Sequence, residues 1–113
     1  MNIQIYGRSK CFDTRKAERY FKERKIRFQS IDLPRFGMSA GEYRNIAQAV
    51  GGMEKLMDPA SVDDTAILIR HLADRTSAEE KLLANPRLFR TPIVRNGREA
   101  TVGYCPDIWK DWK

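Results

Sequence analysis

Two cysteines, Cys11 and Cys105, are the residues of this sequence best suited to chemistry, and it contains no others. Cys11 lies in the stretch GRSKCFDTRKAERYF, after a strand-like run and before a helix-like pattern rich in Lys and Arg. A cysteine that opens a helix has its sulfur near unpaired backbone N–H groups and the positive end of the helix dipole, and both stabilise a thiolate. We therefore expect a nucleophilic thiolate with a lowered pKa at Cys11. The alternative is a small buried hydrophobic residue, and the local sequence leaves both interpretations open.

Charged neighbours are expected to influence the same thiol. The basic residues within a few positions of it are Arg8, Lys10, Arg15 and Lys16. Their positive charge is expected to lower the pKa of Cys11 further. Asp13 opposes this if its carboxylate faces the sulfur, although an acid in a first helical turn is equally suited to capping.

Length and composition favour a single globular domain over residues 1–113. Hydrophobic residues make up 42% of the chain and charged residues 32%, and no apolar run approaches the roughly 20 residues that span a bilayer. The start, MNIQIYG, reads as a strand and lacks the pattern of a signal peptide, so we expect a cytoplasmic protein. In that compartment two cysteines are expected to be redox-active or free.

The formal charge of +6 and the pI near 9.6 permit an acidic partner. Lys and Arg are nevertheless spread along the whole chain and alternate with Asp and Glu, without the aromatic residues that interleave the basic groups of a single-strand binder. We therefore expect a solvated surface and no direct binding of nucleic acid.

The first 33 residues predict strand, helix, strand. Ile3 and Ile5 alternate with polar residues, as in a strand, and Tyr6-Gly7 ends that run. Apolar residues then recur at helical spacing from Thr14, and residues 26–33 form a second strand. Two strands joined by a helix are expected to pair in parallel.

The middle of the chain, about residues 39–85, predicts an all-helical insert. Ser39 with Glu42, and Ser77 with Glu80, both match the capping box that opens a helix. The glycine pair 51–52 ends the first of these helices. Residues 53–57 and 62–73 predict further helix.

The last third predicts a β-hairpin and a helix. Ile93-Val94 and Thr101-Val102 flank the dipeptide Asn96-Gly97, a strong turn signal, and a final helix is expected over residues 106–112. This order of elements is that of an α/β thioredoxin-like fold with a helical insertion and a four-stranded mixed sheet.

Four ordered stretches resemble the family that contains the glutaredoxin-coupled arsenate reductases (ArsC), the Spx transcription regulators and the short YffB-type proteins. They are IYGRSKCFDTRKA, VGGMEKLMDPAS, NPRLFRTPIV and VGYCPDIW. Together they cover nearly the full length of the chain. The resemblance implies that Cys11 is the nucleophile and that Thr91-Pro92 is a cis peptide beside it. A Thr-Pro bond is also a reasonable cis candidate on general grounds, although a trans Pro that opens an edge strand is the simpler alternative.

The sequence departs from the family pattern at several positions. Thr14 stands where Spx proteins commonly have a second cysteine, so the local disulfide switch is absent. Thr91 and Cys105 stand where arsenate reductases have arginines, whose guanidinium groups suit a tetrahedral oxyanion. Arg90 is one residue away and is expected to point to the opposite face of a strand. Arsenate reduction is therefore disfavoured unless other arginines replace the missing pair. The arginines that could replace them are Arg8, Arg15 and Arg70.

The residues present resemble the glutathione-binding elements of glutaredoxins. Thr91 precedes the expected cis proline, and VGYCPD opens the last helix, where the N–H groups of Asp107 and Ile108 are expected to accept a carboxylate. The family alignment also makes Cys105 a candidate resolving thiol, and a passive loop residue is the alternative. The candidate residues for thiolate or substrate binding are Arg8, Lys10, Thr14, Arg15, Arg90, Thr91, Pro92 and Asp107.

A histidine and a glycine pair are the other features that could have a function. His71 is the one histidine, and its spacing from the cysteines predicts no metal site. In Spx proteins a glycine near the position of Gly51-Gly52 contacts the α subunit of RNA polymerase, which makes a polymerase-binding regulator the main alternative to an enzyme.

The resemblance thus favours a glutathione-linked thiol-disulfide oxidoreductase with Cys11 as nucleophile. The alternatives are an arsenate reductase and an Spx-like regulator. We expect a monomer with no bound cofactor, and glutathione as the co-substrate.

Overall fold

The computed structural model describes residues 1–113, and its centre is a mixed four-stranded sheet. The strands are β1 (Ile3–Gly7), β2 (Phe28–Asp32), β3 (Ile93–Asn96) and β4 (Glu99–Val102). They lie in the order β2-β1-β3-β4. The β1–β2 pair is parallel, and β3 is antiparallel to both of its neighbours. The predicted α/β thioredoxin-like fold is confirmed.

Six helices surround this sheet. They are α1 (Phe12–Glu23), α2 (Leu33–Phe36), α3 (Ala40–Val50), α4 (Asp64–His71), α5 (Arg75–Ala84) and α6 (Pro106–Trp109). Short 3₁₀ turns also occur at Met53–Lys55 and Pro86–Leu88. None of the helices has the length and apolar character needed to cross a membrane.

One of the two predicted capping boxes is present. The Ser39 side chain accepts from the backbone of Glu42, whose carboxylate accepts from the Ser39 N–H in return, and α3 ends at Gly51 with a φ of 100°. The second prediction is wrong, because α5 begins three residues earlier than a helix capped by Ser77 would. Its N-cap is Asp74, and Ser77 lies inside the helix, where its hydroxyl donates to the Asp74 carboxylate at 2.6 Å.

Other helical predictions were too long or missed an element. Helix is confined to Met53–Lys55 within the predicted 53–57 segment, and to Asp64–His71 within 62–73, where the Asp63 side chain caps the start of α4. The single turn α2 was not predicted, because Leu33 was assigned to the preceding strand. Pro34, in its first turn, suits a helix start but not a strand.

Side chains alternate between the two faces of the sheet along β1, so the hydrophobic core is divided into two parts. Ile3 and Ile5 pack with α1 and Trp109 on one face, whereas Tyr6 packs with α3, α4 and α5 on the other. The Tyr6 hydroxyl donates to the carboxylate of Glu42, which ties the sheet to the start of α3. Burial is the main cause that raises the pKa of Tyr6 to about 12, and the Glu42 contact adds to it.

The hairpin forms where it was predicted, but Asn96 is not part of the turn. Asn96 pairs with Glu99 as the last pair of β3 and β4, so the turn residues are Gly97 and Arg98. Gly97 has a φ of 62°. A positive φ at the first turn position is typical of a II′ turn. Beyond the hairpin, the Trp109 indole N–H donates to the buried Thr101 hydroxyl at 2.8 Å and fixes α6 on the sheet.

Candidate functional site

Cys11 is the N-cap residue of α1, in the short loop that follows β1. Lys10 directly before it has a φ of 67°, which turns the backbone into the helix. Cys11 has an extended backbone, and its side chain makes no capping hydrogen bond to the helix. The half-buried sulfur therefore lies at the positive end of α1, and the first N–H groups of the helix, which have no acceptor in the chain, are left to stabilise a charge on it.

Thr91 is the side chain in closest polar contact with that sulfur. Its hydroxyl donates to Cys11 Sγ at 3.1 Å, and the thiol lies 3.6 Å from the Thr91 carbonyl oxygen. The Thr91-Pro92 peptide is cis, which confirms the conformation predicted for it. The residue that the family resemblance placed beside the nucleophile thus touches it directly.

Thr14 contributes a second hydroxyl on the first turn of α1. This hydroxyl is buried and has no hydrogen-bond partner at ordinary distance, yet it is near enough to the sulfur to lower the pKa of Cys11. No hydrogen bond joins this hydroxyl to the sulfur, but a hydroxyl donor beside it stabilises a negative charge there. Thr14 is therefore a group that favours the thiolate.

Hydrogen bonds set the acidity of Cys11. Burial raises the pKa of this thiol, but the opposing contacts from the side chains of Thr14 and Thr91 and from the backbone N–H groups of Asp13 and Thr14 outweigh burial. The pKa of Cys11 consequently lies below its ordinary value. A larger thiolate fraction near neutral pH follows.

Nearby cations were expected to share in this effect, but they are not its main cause. Arg8, Lys10 and Arg15 are all exposed, and the causes that lower the pKa most are hydrogen bonds. Arg8 instead donates to the Arg87 carbonyl oxygen at 3.3 Å. Lys16 lies over the ring of Tyr104, 5.5 Å from its centroid. Arg8 and Lys16 thus have partners other than the sulfur.

Cys105 has a different environment. Its thiol donates to the Val102 carbonyl oxygen at 3.3 Å, and both cysteines are free. Burial raises the pKa of Cys105, the Thr101 contact opposes that, and the charge of Asp13 adds to the rise. Because Asp13 is on the first turn of α1, the Cys105 loop lies near the start of the helix that Cys11 caps. The two sulfurs nevertheless have separate hydrogen-bond partners.

The start of α6 keeps only one of the two backbone donors that were expected to bind a carboxylate there. The N–H of Ile108 donates to the Cys105 carbonyl oxygen at 3.1 Å and so is not free for a ligand. The helix has only four residues, and Asp107 is exposed with no side-chain partner. The N–H of Asp107 is left unpaired, so a single backbone donor remains at this helix start.

Arg90 does not lie on a face opposite Thr91, as strand alternation predicted. It precedes β3 by three residues, so alternation does not apply to it, and its N–H donates to the Leu56 carbonyl oxygen at 2.7 Å. Its exposed side chain lines one cavity together with Thr91 and another together with Cys105. Arg90 is therefore available to a ligand on either side of Thr91.

Sequence reasoning missed Gly7. A Cβ on this residue would lie 2.3 Å from Cγ2 and 2.8 Å from the hydroxyl of Thr14, so the absence of a side chain at Gly7 leaves room for Thr14 beside Cys11. A glycine at the end of a strand was a visible signal, but its meaning depended on the position of Thr14. His71 is exposed, and no three His, Cys, Asp or Glu residues form a group that could hold a metal.

Comparisons with known proteins support the fold. No established protein family description matches the chain. The global transcriptional regulator Spx 2 of Oceanobacillus iheyensis is 25% identical over 130 residues, which cover 100% of this chain and 94% of that protein. An arsenate reductase from Vibrio cholerae superposes with a TM-score of 0.79 at 21% identity, over 96% of this chain and 94% of the other. A YffB protein gives a TM-score of 0.77 at 23% identity, over 96% of each chain.

The fold and the surroundings of Cys11 define a thioredoxin-like α/β protein with one cysteine at the start of its first helix. Within that class the chain resembles the ArsC/Spx/YffB family in sequence and in fold, which confirms the resemblance seen in its motifs. The solved structures are similar at identities that establish only the shared fold.

Proposed function

We propose that this protein is a glutathione-linked thiol-disulfide oxidoreductase that uses Cys11 as its single nucleophile. The observation that carries the proposal is the 3.1 Å hydrogen bond from the Thr91 hydroxyl to Cys11 Sγ at the N-terminus of α1. It supports a thiolate that is activated yet half-exposed, as attack on a disulfide requires. Such an enzyme belongs in the cytoplasm, where the glutathione pool is reduced.

The reaction consists of two exchanges. The Cys11 thiolate attacks the glutathione sulfur of a mixed disulfide, forms a Cys11–glutathione disulfide and releases the other sulfur as a thiolate that takes up a proton. A second glutathione thiolate then attacks the glutathione sulfur bound to Cys11. Oxidised glutathione leaves, the Cys11 thiolate is regenerated, and the original substrate has been reduced to a thiol.

The backbone of Thr91 is suited to hold the substrate during these steps. Its N–H makes no hydrogen bond within the chain, and its carbonyl oxygen contacts only the Cys11 thiol. Loss of the thiol proton removes that contact, because a thiolate cannot donate. Both backbone groups of Thr91 then become available to an extended peptide, and they would align its sulfur with Cys11.

Arsenate reduction is the less favoured enzyme activity. Thr91 and Cys105 occupy the positions where the family resemblance implies oxyanion-binding arginines. A threonine hydroxyl supplies one donor without charge, whereas a guanidinium supplies a bidentate charged fork. The similarity to an arsenate reductase is a similarity of fold, and it gives no support to arsenate as the substrate of this chain.

A comparison of substrates with purified protein tests the proposal. With glutathione and glutathione reductase present, we expect turnover of a glutathione mixed disulfide and no turnover after Cys11→Ser. Arsenate, assayed with glutathione and glutaredoxin, is expected to give at least tenfold less turnover. Absence of activity on the mixed disulfide, or faster turnover of arsenate, would contradict the proposal.

A transcription regulator is the second candidate, and the relative that covers the whole chain favours it. The exposed Gly51 and its neighbour Gly52, both with positive φ, follow α3 and match the place that the resemblance implies for polymerase contact. Affinity capture with the C-terminal domain of the RNA polymerase α subunit distinguishes a transcription regulator from an oxidoreductase. Binding that is lost in Gly52→Arg and kept in Cys11→Ser would support the regulator, and no binding is expected of the oxidoreductase.

A further inference from the structure

An open cavity of about 770 Å³ begins at Thr91, the residue that contacts the Cys11 sulfur. This volume lies in the range of small-molecule sites in proteins. The residues of its lining that carry charge are Arg8, Asp58, Asp63, Arg87 and Arg90. A molecule bound there with its sulfur at Cys11 would contact both acidic and basic side chains.

Two of these charges already satisfy each other. Arg87 forms an ion pair with Asp63 at 3.3 Å, and Asp63 also caps α4 by accepting from the Thr65 N–H at 2.9 Å. Arg87 donates in addition to the side chain of Asn85 at 2.8 Å. This pair therefore forms part of the wall and contributes little net charge to a ligand.

The other three charged groups have no ionic partner. Arg8 donates only to a backbone carbonyl oxygen, and the guanidinium of Arg90 has no hydrogen-bond partner in the chain. One oxygen of the Asp58 carboxylate accepts from the Ala60 N–H at 2.9 Å, and the other oxygen has no partner. The cavity thus offers two unpaired cations and one unpaired anion.

The loop that carries Asp58 is held in place from outside the cavity. Arg70 on α4 donates to the Ser61 carbonyl oxygen at 2.7 Å and to the Asp58 carbonyl oxygen at 3.4 Å. These bonds fix the backbone at both ends of the turn. The Ala60 N–H holds one oxygen of the exposed Asp58 carboxylate on this fixed backbone, which reduces the entropy lost on binding.

We propose that this cavity is the glutathione subsite, in which Asp58 binds the ammonium of the glutamyl end while Arg8 and Arg90 bind the two carboxylates. Glutathione carries two carboxylates and one ammonium, and this pattern is complementary to the unpaired groups of the cavity. The proposal rests on the function proposed above and deepens it. It also replaces the start of α6 as the place where the glutamyl end binds.

The unpaired Asp58 separates this ligand from a simple anion. An arsenate or phosphate ion would be attracted by Arg8 and Arg90 but repelled by the carboxylate. A zwitterionic amino acid group gains from all three side chains. Selectivity for the free amine of glutathione is therefore the distinctive consequence of this arrangement.

Calorimetric titration of the Cys11→Ser protein with S-methylglutathione tests the subsite without any thiol exchange. We expect Asp58→Asn to weaken binding about two- to fivefold, the range of a charged contact at an exposed site. The amide keeps an oxygen that can accept from Ala60, so the fold is preserved. Asp64→Asn is the matched control, because Asp64 is exposed on the first turn of α4 and lies outside the cavity. This variant should bind S-methylglutathione as tightly as the Cys11→Ser protein does.

A ligand analogue without the amine tests whether Asp58 contacts the ammonium of the glutamyl end. S-methylglutathione whose glutamyl amine is replaced by hydrogen should bind the Cys11→Ser protein about two- to fivefold more weakly, yet Asp58→Asn should not weaken it further. Equal loss from Asp58→Asn with both ligands, or no loss with either, would overturn the subsite. Tighter binding of phosphate than of S-methylglutathione would overturn it as well. Turnover of a glutathione mixed disulfide by the protein with Cys11 intact is measured separately, so failure of the subsite and failure of the proposed activity are distinguishable.

Discussion

Gly7 and Thr14 lie so close together that a methyl group on Gly7 would sit 2.3 Å from Cγ2 of Thr14. Gly7 ends β1 and Thr14 is on the first turn of α1, so this contact sets the distance between the strand and the helix that follows it. The buried hydroxyl of Thr14 is thereby kept beside the Cys11 sulfur, where it lowers the pKa of the thiol. The acidity of Cys11 therefore depends on Gly7, which acts only through the position of Thr14.

Gly7→Ala is expected to displace Thr14, because Cβ atoms do not approach other side chains at 2.3 Å. Overpacking of this kind lowers the free energy of unfolding by about 1–3 kcal/mol, and the loss of the Thr14 contact should raise the pKa of Cys11. Thermal unfolding and pH-dependent alkylation measure the two effects.

Gly41→Ala is the matched control for that substitution. Gly41 is also next to a helix start, but a Cβ there meets nothing closer than 4.0 Å. Stability should be unchanged or slightly higher, with the same alkylation profile as the parent protein. A tolerated Gly7→Ala, with Thr14 and Cys11 unaffected, would refute the role of the Gly7–Thr14 contact.

Thr91→Val removes the hydroxyl that donates to Cys11 Sγ and keeps the shape of the side chain. Because a typical intramolecular hydrogen bond contributes about 0.5–1.5 kcal/mol net, the alkylation rate of Cys11 at pH 7 should fall about two- to tenfold. Thr91→Ser keeps the hydroxyl and should retain most of the rate. Equal rates for the Val and Ser variants would show that the hydroxyl does not stabilise the thiolate.

Cys105→Ser is expected to leave turnover of a glutathione mixed disulfide unchanged. Cys105 donates to the Val102 carbonyl oxygen, and burial raises the pKa of its thiol, so it is a poor partner for the Cys11 mixed disulfide. Mass spectrometry after mild oxidation should show glutathione on Cys11 and no Cys11–Cys105 disulfide. An intramolecular disulfide, together with slower turnover of Cys105→Ser, would instead make Cys105 the resolving thiol.

Much of the fold could be predicted because its signals are local. Alternation of Ile3 and Ile5, the capping box of Ser39 and the turn glycine at 97 each identify an element within a few residues. The capping error at α5 has the same origin, since Asp74 and Ser77 are both good cap residues three positions apart. Tertiary packing decides between two such adjacent signals.

The candidate site was predictable in its members but not in its contacts. Cys11 and Thr91 were found from motifs, whereas their 3.1 Å contact joins residues 80 positions apart. Arg87 pairs with Asp63 and not with Asp58, although both acids line the same cavity, and no spacing rule indicates this. The directions of Arg8 and Lys16 were equally invisible, because long side chains select their partners only in the folded molecule.

The rate of iodoacetamide labelling at Cys11, measured against pH in the Cys105→Ser protein, is the most direct test of an activated thiolate. Only the thiolate reacts, so the rate rises with pH as the thiol loses its proton. A lowered pKa moves that rise to lower pH, and the half-maximal rate should therefore occur clearly below about 8.5, the value of a free cysteine. A half-maximal rate at or above about 8.5 would contradict a stabilised thiolate at the start of α1.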